Sequence, residues 1–182
     1  MNNLNEINQK IQQASTWFNN ALPRQVGTIA VNHFKDNFRK QGFQNGGIKP
    51  WKDVKRRNPN SRWYGFQYKG ENRKKVPYNL TKKGKKSKQQ RKLNFSLAAT
   101  RWPILHNSGD LRDSLRYIPQ PGCVTITSDL PYAQVQNDGG QIRVFGKRSV
   151  KLPARPFVGP SVELNAEIRQ TIDNGITNIL NS

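Results

Sequence analysis

Two closely spaced aspartates are the side chains of this chain best suited to metal-assisted chemistry. Asp110 and Asp113 stand three residues apart, so a helical turn would place both carboxylates on one face. Paired carboxylates of this kind hold magnesium in enzymes that act on phosphates. In a turn that leads into a strand, the same two residues are more typical of Asx turns and of surface groups. The sequence favours this second interpretation.

His33 and His106 are the only two histidines of the chain. His106 and Asn107 match one corner of a His-Asn-His nuclease site, but the partner histidine and the metal-ligand histidine of such a site are missing. His33 falls near the buried side of a predicted helix, where a hydrogen-bonded boundary histidine is expected. The sequence also lacks a phosphate loop, a dinucleotide fingerprint and a Gly-x-Ser-x-Gly motif. We therefore predict no enzyme activity, no metal site and no cofactor.

Composition excludes several further classes of protein. The single cysteine, Cys123, can form neither an internal disulfide nor a Cys-rich zinc site. The chain has 182 residues and a hydrophobic content of 34%, which suits one domain with a solvated arm or loop. Without a run of 18 apolar residues or a signal pattern at its start, it is expected to be made in the cytoplasm and not to span a membrane.

The positive charge of the chain is concentrated in one segment. The chain contains 31 Lys and Arg and 11 Asp and Glu. The segment from Lys49 to Lys92 contains 17 of the basic residues and 2 of the acidic ones, so it carries +15 of the net charge of +20. We expect an exposed loop or arm there, because a segment so charged and so poor in apolar residues cannot order itself by burial. Candidate contacts with nucleic acid or an acidic partner are Lys82, Lys83, Lys85, Lys86, Lys88, Arg91 and Lys92.

Phosphate is the favoured partner of this basic segment, because neutralising phosphates releases counterions without reading base sequence. An acidic protein surface is the alternative. Aromatic residues such as Trp51, Trp63 and Tyr64 are interleaved with the cations, and could stack on unpaired bases. The same aromatics could instead form a small satellite core.

Periodic apolar residues predict three helices. Asn3 with Glu6 three residues later resembles a capping box, so the first helix is expected to begin near Leu4. The second is expected over 22–38, with Pro23 in its first turn, and is ended by Gly42 and the Gly46-Gly47 pair. The third is capped by Ser161. Their apolar stripes are Leu4, Ile7, Ile11, Ala14 and Phe18; Leu22, Val26, Ile29, Ala30, Phe34 and Phe38; and Leu164, Ile168, Ile172, Ile176 and Ile179.

Between the second and third helices the pattern favours strands. A β-hairpin is predicted for segments 111–118 and 123–127, and a short helix for 131–137. A third strand is predicted for 141–145, and an extended edge segment for 151–157. The predicted fold class is α+β, a small antiparallel sheet packed with N-terminal and C-terminal helices, plus a long basic loop or arm. We divide it into N-terminal helices (1–48), a basic, aromatic-containing insertion (49–103) and the sheet with the C-terminal helix (104–182), in one structural domain overall.

Four segments in order carry a resemblance to a known family. They are Phe38–Phe43 leading to Pro50-Trp51, Ile104–Leu115, Val124–Ser128 leading into Pro131–Gly139, and Leu152–Gly159. Together they resemble the tailed-phage virion morphogenesis family, the tail-completion proteins related to Mu-type and lambda-like neck components. The last segment contains Pro-Ala-Arg-Pro-Phe, the closest match. Val135 stands where the family usually has histidine, and the basic segment is longer than the family's connection.

The resemblance implies a non-enzymatic structural subunit that completes the tail or joins it to the head. Such a subunit forms an oligomeric ring in the neck around the DNA channel, beside head-completion or adaptor proteins and the tail terminator. It belongs to the virion and is assembled in the host cytoplasm, with possible non-specific contact to genomic DNA and none to membrane. The alternative from the residues alone is a non-specific nucleic-acid-binding protein that acts through its basic arm.

Arg155 and Phe157 are the candidate subunit-interface residues. Arg155 stands between two prolines and could present its guanidinium to a neighbouring subunit, or could tie strand to helix within the chain. Both possibilities stay open. Tyr132 is expected in the core, and Gly109 and Gly139 are expected to allow turns with positive φ.

Overall fold

The chain divides into two compact units, one formed by Met1–Lys52 with Leu105–Ser182 and the other by Asp53–Ile104. The computed structural model describes residues 2–61, 63–65, 96–105, 108–144 and 148–182. The candidate contact residues from Lys82 to Lys92 lie outside the described residues, as does His106. Their assignment stays a prediction.

The larger unit begins with one continuous helical run. Helix α1 (Asn2–Thr16) passes through a π-helical turn, Trp17–Ala21, directly into α2 (Leu22–Lys40). A π turn is wider than an α turn, so it changes the angular position of every side chain before it relative to those after it. The two helices expected from the sequence are therefore present but joined.

Helix α2 ends at a left-handed residue that is not a glycine. Gln41 has φ 51°, and its amide donates to Phe38 O at 3.3 Å. The prediction that glycines end this helix is therefore wrong, because Gln41 takes the left-handed position at its end. Gly42 instead opens β1 (Gly42–Gln44), where a Cβ would lie 2.7 Å from Lys49 O on the paired strand β2 (Ile48–Pro50).

The smaller unit is described at its two ends. Gly65 links them, because its amide donates to Arg56 O at 2.9 Å and its carbonyl accepts from Ser96 N at 2.8 Å. Ser96 precedes the short helix α3 (Leu97–Arg101), within which Ala99 is buried.

The short helix α4 (Asp110–Asp113) occupies the start of the segment expected to be a strand. Its turn is closed by Asp113 N to Gly109 O at 3.0 Å and Ser114 N to Asp110 O at 2.8 Å. Leu111 and Leu115 are both buried at helical spacing. The strand prediction for 111–118 is therefore wrong in its first half.

The described strands pair as three separate antiparallel ladders instead of the single sheet expected. Besides β1 with β2, these are β3 (Arg116–Gln120) with β4 (Cys123–Thr127), and β5 (Gly140–Val144) with β6 (Arg148–Leu152). The predicted hairpin and the third strand are thus present, and β5 lies one residue earlier than expected. The combination of helices and small antiparallel ladders confirms the α+β class.

The remaining helices are α5 (Ala133–Asp138), which ends at Gly139 with φ 75°, and α6 (Val162–Asn181). Ser161 caps α6 as predicted, since its Oγ accepts from Leu164 N at 3.3 Å. Among the described residues, no helix combines the length and apolar content needed to cross a membrane. The buried apolar side chains of the larger unit are Leu22, Ala30, Val31, Phe34, Phe38, Phe43, Trp51, Leu111, Leu115, Ala133, Phe157 and Leu164.

Candidate functional site

The segment before α6 is held in place along its backbone by side chains from distant parts of the chain. Trp51 donates its Nε1–H to Pro156 O at 2.6 Å, and Arg155 donates from Nε to Lys52 O at 3.1 Å. The amide of Arg155 donates to Gln136 O at 3.0 Å. The Pro-Ala-Arg-Pro-Phe segment therefore crosses the end of β2 and the end of α5 in a fixed path.

Two asparagines complete this anchoring. Asn137 Oδ1 accepts from the amides of Phe157 and Val158 at 2.9 and 3.0 Å. The fully buried Asn37 donates from Nδ2 to Phe157 O at 3.1 Å and accepts from Gln44 N at 3.1 Å. Buried backbone groups of a segment outside any ladder are thus satisfied by side chains.

The side chains of Arg155 and Phe157 are buried within their own chain. They are 6% and 2% exposed, and the Phe157 ring lies 5.1 Å from that of Phe38, centroid to centroid. Arg155 acts as an internal tie through Lys52 O, which is one of the two alternatives that the sequence left open. Contact of either residue with a neighbouring subunit stays a prediction. Tyr132, expected in the core, is exposed, so that expectation is wrong.

The π-helical turn brings Trp17 against the middle of α6. A Cβ atom added at Gly175 would overlap the Trp17 indole, so the close approach requires glycine there. An open groove of about 620 Å³ lies beside this contact, between α2 and α6. No local pattern in the sequence predicts this contact; the one signal for it is Gly175 inside an otherwise regular helix.

Asp110 and Asp113, for which the sequence favours turn and surface roles over magnesium binding, share one helical turn, since both belong to α4. Asp113 is paired with Arg112, through Nε to Oδ1 at 2.8 Å and Nη2 to Oδ2 at 3.0 Å. This hydrogen bond and the charge of Asp113 raise the pKa of Arg112. Within the described part of the chain, no three His, Cys, Asp or Glu side chains are grouped to hold a metal ion.

His33 is half-buried in α2, close to the side predicted. Its Nε2 atom is buried and has no hydrogen-bond partner among the described residues. The expectation of a fully hydrogen-bonded histidine is therefore not met at this atom. Burial lowers the pKa of His33, opposed by the charges of Glu163 and Glu167. The neutral imidazole is therefore favoured near pH 7.

Glu163 joins the start of α6 to the turn of the first hairpin. Its Oε1 accepts from Gly47 N at 2.9 Å and its Oε2 from Gly46 N at 3.2 Å, while Ser161 Oγ donates to Oε2 at 3.1 Å. Led by the bond from Gly47, these contacts lower the pKa of Glu163 to about 2. The Glu163 carboxylate therefore fixes the turn of the first hairpin, in addition to the favourable interaction of its negative charge with the start of helix α6.

Two cations of the basic segment are used within the smaller unit. Arg56 donates to the carbonyls of Ala99 and Pro103 at 3.1 and 2.7 Å, and Arg57 to that of Trp102 at 2.9 Å. These carbonyls are the free acceptors at and beyond the end of α3. Arg56 and Arg57 are thus committed to structural contacts.

The aromatic residues near the basic segment divide between core and surface. Trp51 is buried in the larger unit, packed edge-on at 5.6 Å from Phe38, and presents no free face for a base. Trp63 is exposed. The stacking hypothesis is therefore wrong for Trp51.

The chain matches the family described as the phage virion morphogenesis family over residues 1–177. The match runs through both helical ends, the basic segment and the anchored Pro-Ala-Arg-Pro-Phe segment. No curated protein and no solved structure matches the chain. The resemblance seen in four short motifs is thereby confirmed over nearly the whole length, and this chain belongs to the phage virion morphogenesis family.

Proposed function

We propose that this chain is a tail-completion or head–tail joining subunit that forms an oligomeric ring in the phage neck around the DNA channel. Membership of the virion morphogenesis family over residues 1–177 carries the proposal, and by itself supports a structural or assembly role in the phage virion. Head-completion or adaptor proteins and the tail terminator are its proposed neighbours. The subunit is proposed to catalyse no reaction.

The distribution of charge supports a position near DNA. The segment between Lys49 and Lys92 carries +15, whereas the remaining residues carry +5. Repeated around a ring, such segments would surround the passage with cations, which bind phosphate without sequence preference. The seven cations from Lys82 to Lys92 are the proposed contacts with DNA, because they form the part of the segment that is densest in charge and poorest in apolar residues.

Labelling of intact particles tests this function. A short epitope fused after Ser182, at the exposed end of α6, should be detected by electron microscopy at the junction of head and tail. Particles that carry the same chain without the epitope are the matched control for the label. Absence of the chain from purified particles, or a label confined to the distal tail, would contradict the proposal.

A second candidate function rests on the charge alone. A free nucleic-acid-binding protein would bind DNA tightly as a monomer, with affinity that falls steeply between about 50 and 200 mM salt. The ring subunit should bind weakly as a monomer and gain affinity on assembly, because only the ring presents many cations together. Gel shifts at the two salt concentrations distinguish these outcomes. The control is a variant with the seven cations replaced by glutamine.

A further inference from the structure

A second stretch of the chain is rich in cations and free of carboxylates. Residues 139–162 contain five Lys and Arg and no Asp or Glu. Apart from this stretch and the segment from Lys49 to Lys92, the chain contains nine basic and nine acidic residues. The two stretches therefore carry the whole net charge of +20. Arg155 is the internal tie described above, and the other four cations fall within residues 140–152, the strands β5 and β6 and their connection.

The two faces of the β5–β6 hairpin differ in their chemistry. The paired register and the alternation of side chains place four exposed polar residues on one face, namely Gln141, Arg143, Ser149 and Lys151. We call this the cationic face. The opposite face carries the apolar residues Ile142, Val150 and Leu152, of which Ile142 and Leu152 are half-buried. The hairpin is thus amphipathic, and the cationic face is the one exposed at every position.

The cationic face presents hydrogen-bond donors to solvent. Ser149 Oγ donates to Gln141 Oε1 at 3.1 Å, which occupies the amide oxygen and leaves the amide nitrogen of Gln141 as an outward donor. Arg143 and Lys151 form no salt bridge with any residue that the structure describes, whereas Arg116 on β3 is paired with Asp129 at 3.4 Å. The charge of this face is therefore left for a partner outside the described part of the chain.

The base of the hairpin is held in a fixed position. Gly139 stands before β5 with φ 75°, and a Cβ there would lie 2.7 Å from Ala154 N, just after β6. Next to this contact, the amide of Arg155 donates to Gln136 O at 3.0 Å. Both ends of the hairpin are thus fastened to the end of α5, so the cationic face is carried on a rigid element instead of a loose arm.

We propose that the cationic face binds the phosphate backbone of duplex DNA. Arg, Lys, Ser and Gln are side chains that commonly contact phosphate oxygens, and a two-stranded ribbon fits the major groove, which is about 12 Å wide. An acidic protein fits this face less well, because the centre of a protein interface is apolar and none of the four residues is apolar. The inference rests on the proposed neck function, which places the chain beside DNA. It adds a contact separate from the seven cations between Lys82 and Lys92.

Removing two charges from the cationic face tests the contact. Arg143→Gln with Lys151→Gln is compared with Arg24→Gln plus Arg169→Gln, two exposed cations of α2 and α6 that give the same change in charge. Both double variants are made in the full chain and in the full chain with the seven cations already replaced by glutamine. Fluorescence anisotropy with a labelled duplex of about 30 base pairs measures the affinity between about 50 and 200 mM salt. Circular dichroism verifies that the variants keep the wild-type secondary structure.

The hairpin variant should bind DNA at least about tenfold more weakly at the lower salt concentration in both backgrounds. Its plot of log K against log salt should be shallower by about 2, because two phosphate contacts are lost. The control should change affinity by less than about threefold. Exchanging the two cations, Arg143→Lys with Lys151→Arg, should preserve affinity and slope, because a phosphate is recognised by charge.

Equal behaviour of the hairpin variant and the control would overturn the proposal, as would a wild type that fails to bind the duplex at the lower salt concentration. Large loss of binding on exchange of the two cations would also overturn it. A hairpin variant that binds DNA like wild type but no longer enters particles would assign the cationic face to an acidic protein instead. The neck function fails separately, if the wild-type chain is absent from purified particles.

Discussion

The side chain of Asn37 in α2 is hydrogen-bonded to the carbonyl oxygen of Phe157, which lies 120 residues later in the chain. Nδ2 donates across 3.1 Å, and Oδ1 of the same side chain accepts from Gln44 N. One fully buried amide therefore ties α2 both to β1 and to the segment that precedes α6.

Replacing Asn37 by aspartate should destabilise the larger unit. Asn37→Asp keeps the shape and the acceptor, but the carboxylate cannot donate to Phe157 O unless it takes up a proton in a buried position. We expect the free energy of unfolding to fall by about 2–3 kcal/mol, measured by urea denaturation. Asn32→Asp, at an exposed position of the same helix, should change it by less than about 0.5 kcal/mol. Equal effects of the two substitutions would contradict this role.

Gly175→Ala should lower stability although alanine is the better helix former. In an open helix this change gains about 1 kcal/mol. Here the new Cβ would overlap the Trp17 indole, and overpacking of this kind costs about 1–3 kcal/mol. Differential scanning calorimetry should show a lower Tm than in wild type. Asp173→Ala, exposed on the same helix, serves as the control and should leave the Tm unchanged or slightly higher. A higher Tm for Gly175→Ala would show that the π turn does not hold Trp17 in this position.

Acid should loosen the contact between Glu163 and the first hairpin turn. The carboxyl titrates with a pKa of about 2 in the folded chain, below its ordinary value of 4.5. Since the folded-state pKa is lowered, the stabilisation is fully present above about pH 4.5 and is lost as the pH falls toward 2. Glu163→Gln should therefore flatten the decline in Tm over this range.

The control for the acid prediction is Glu167→Gln, one turn further along α6, where the carboxylate is exposed. Its decline in Tm between pH 4.5 and 2 should remain as steep as that of wild type. Burial of His33, which lowers the pKa of that side chain, causes an earlier loss of stability that begins near pH 6.5 in every variant. An identical decline in Tm between pH 4.5 and 2 for Glu163→Gln and Glu167→Gln would contradict the role of Glu163.

Deleting residues 82–92 should leave the rest of the chain folded. The removed stretch contains seven Lys and Arg and no large apolar side chain, so little burial is lost. We expect the Tm to stay within about 2 °C of wild type, while DNA affinity at low salt falls sharply. The matched control replaces the same stretch by Gly and Ser of equal length. A large fall in Tm would show that the segment is packed into the fold.

Local patterns in the sequence were sufficient for features that depend on neighbouring residues. The spacing of Leu164, Ile168 and Ile172 predicted α6 and its buried side, Ser161 predicted its cap, and the alternation of Val124 and Ile126 predicted β4. The order of four short motifs was enough to indicate the family. Helix periodicity, capping and strand alternation act within a few residues, so they can be read without the fold.

Only the tertiary structure decided how these elements use their side chains. The stripe of Leu4, Ile7 and Ile11 reads as a core face, yet the packing of α1 against α6 leaves it in solvent. The tie from Asn37 to Phe157 joins residues that no local pattern connects. Burial and long-range hydrogen bonds depend on where distant segments meet in space, and the sequence alone determines only that a face is apolar, not what covers it.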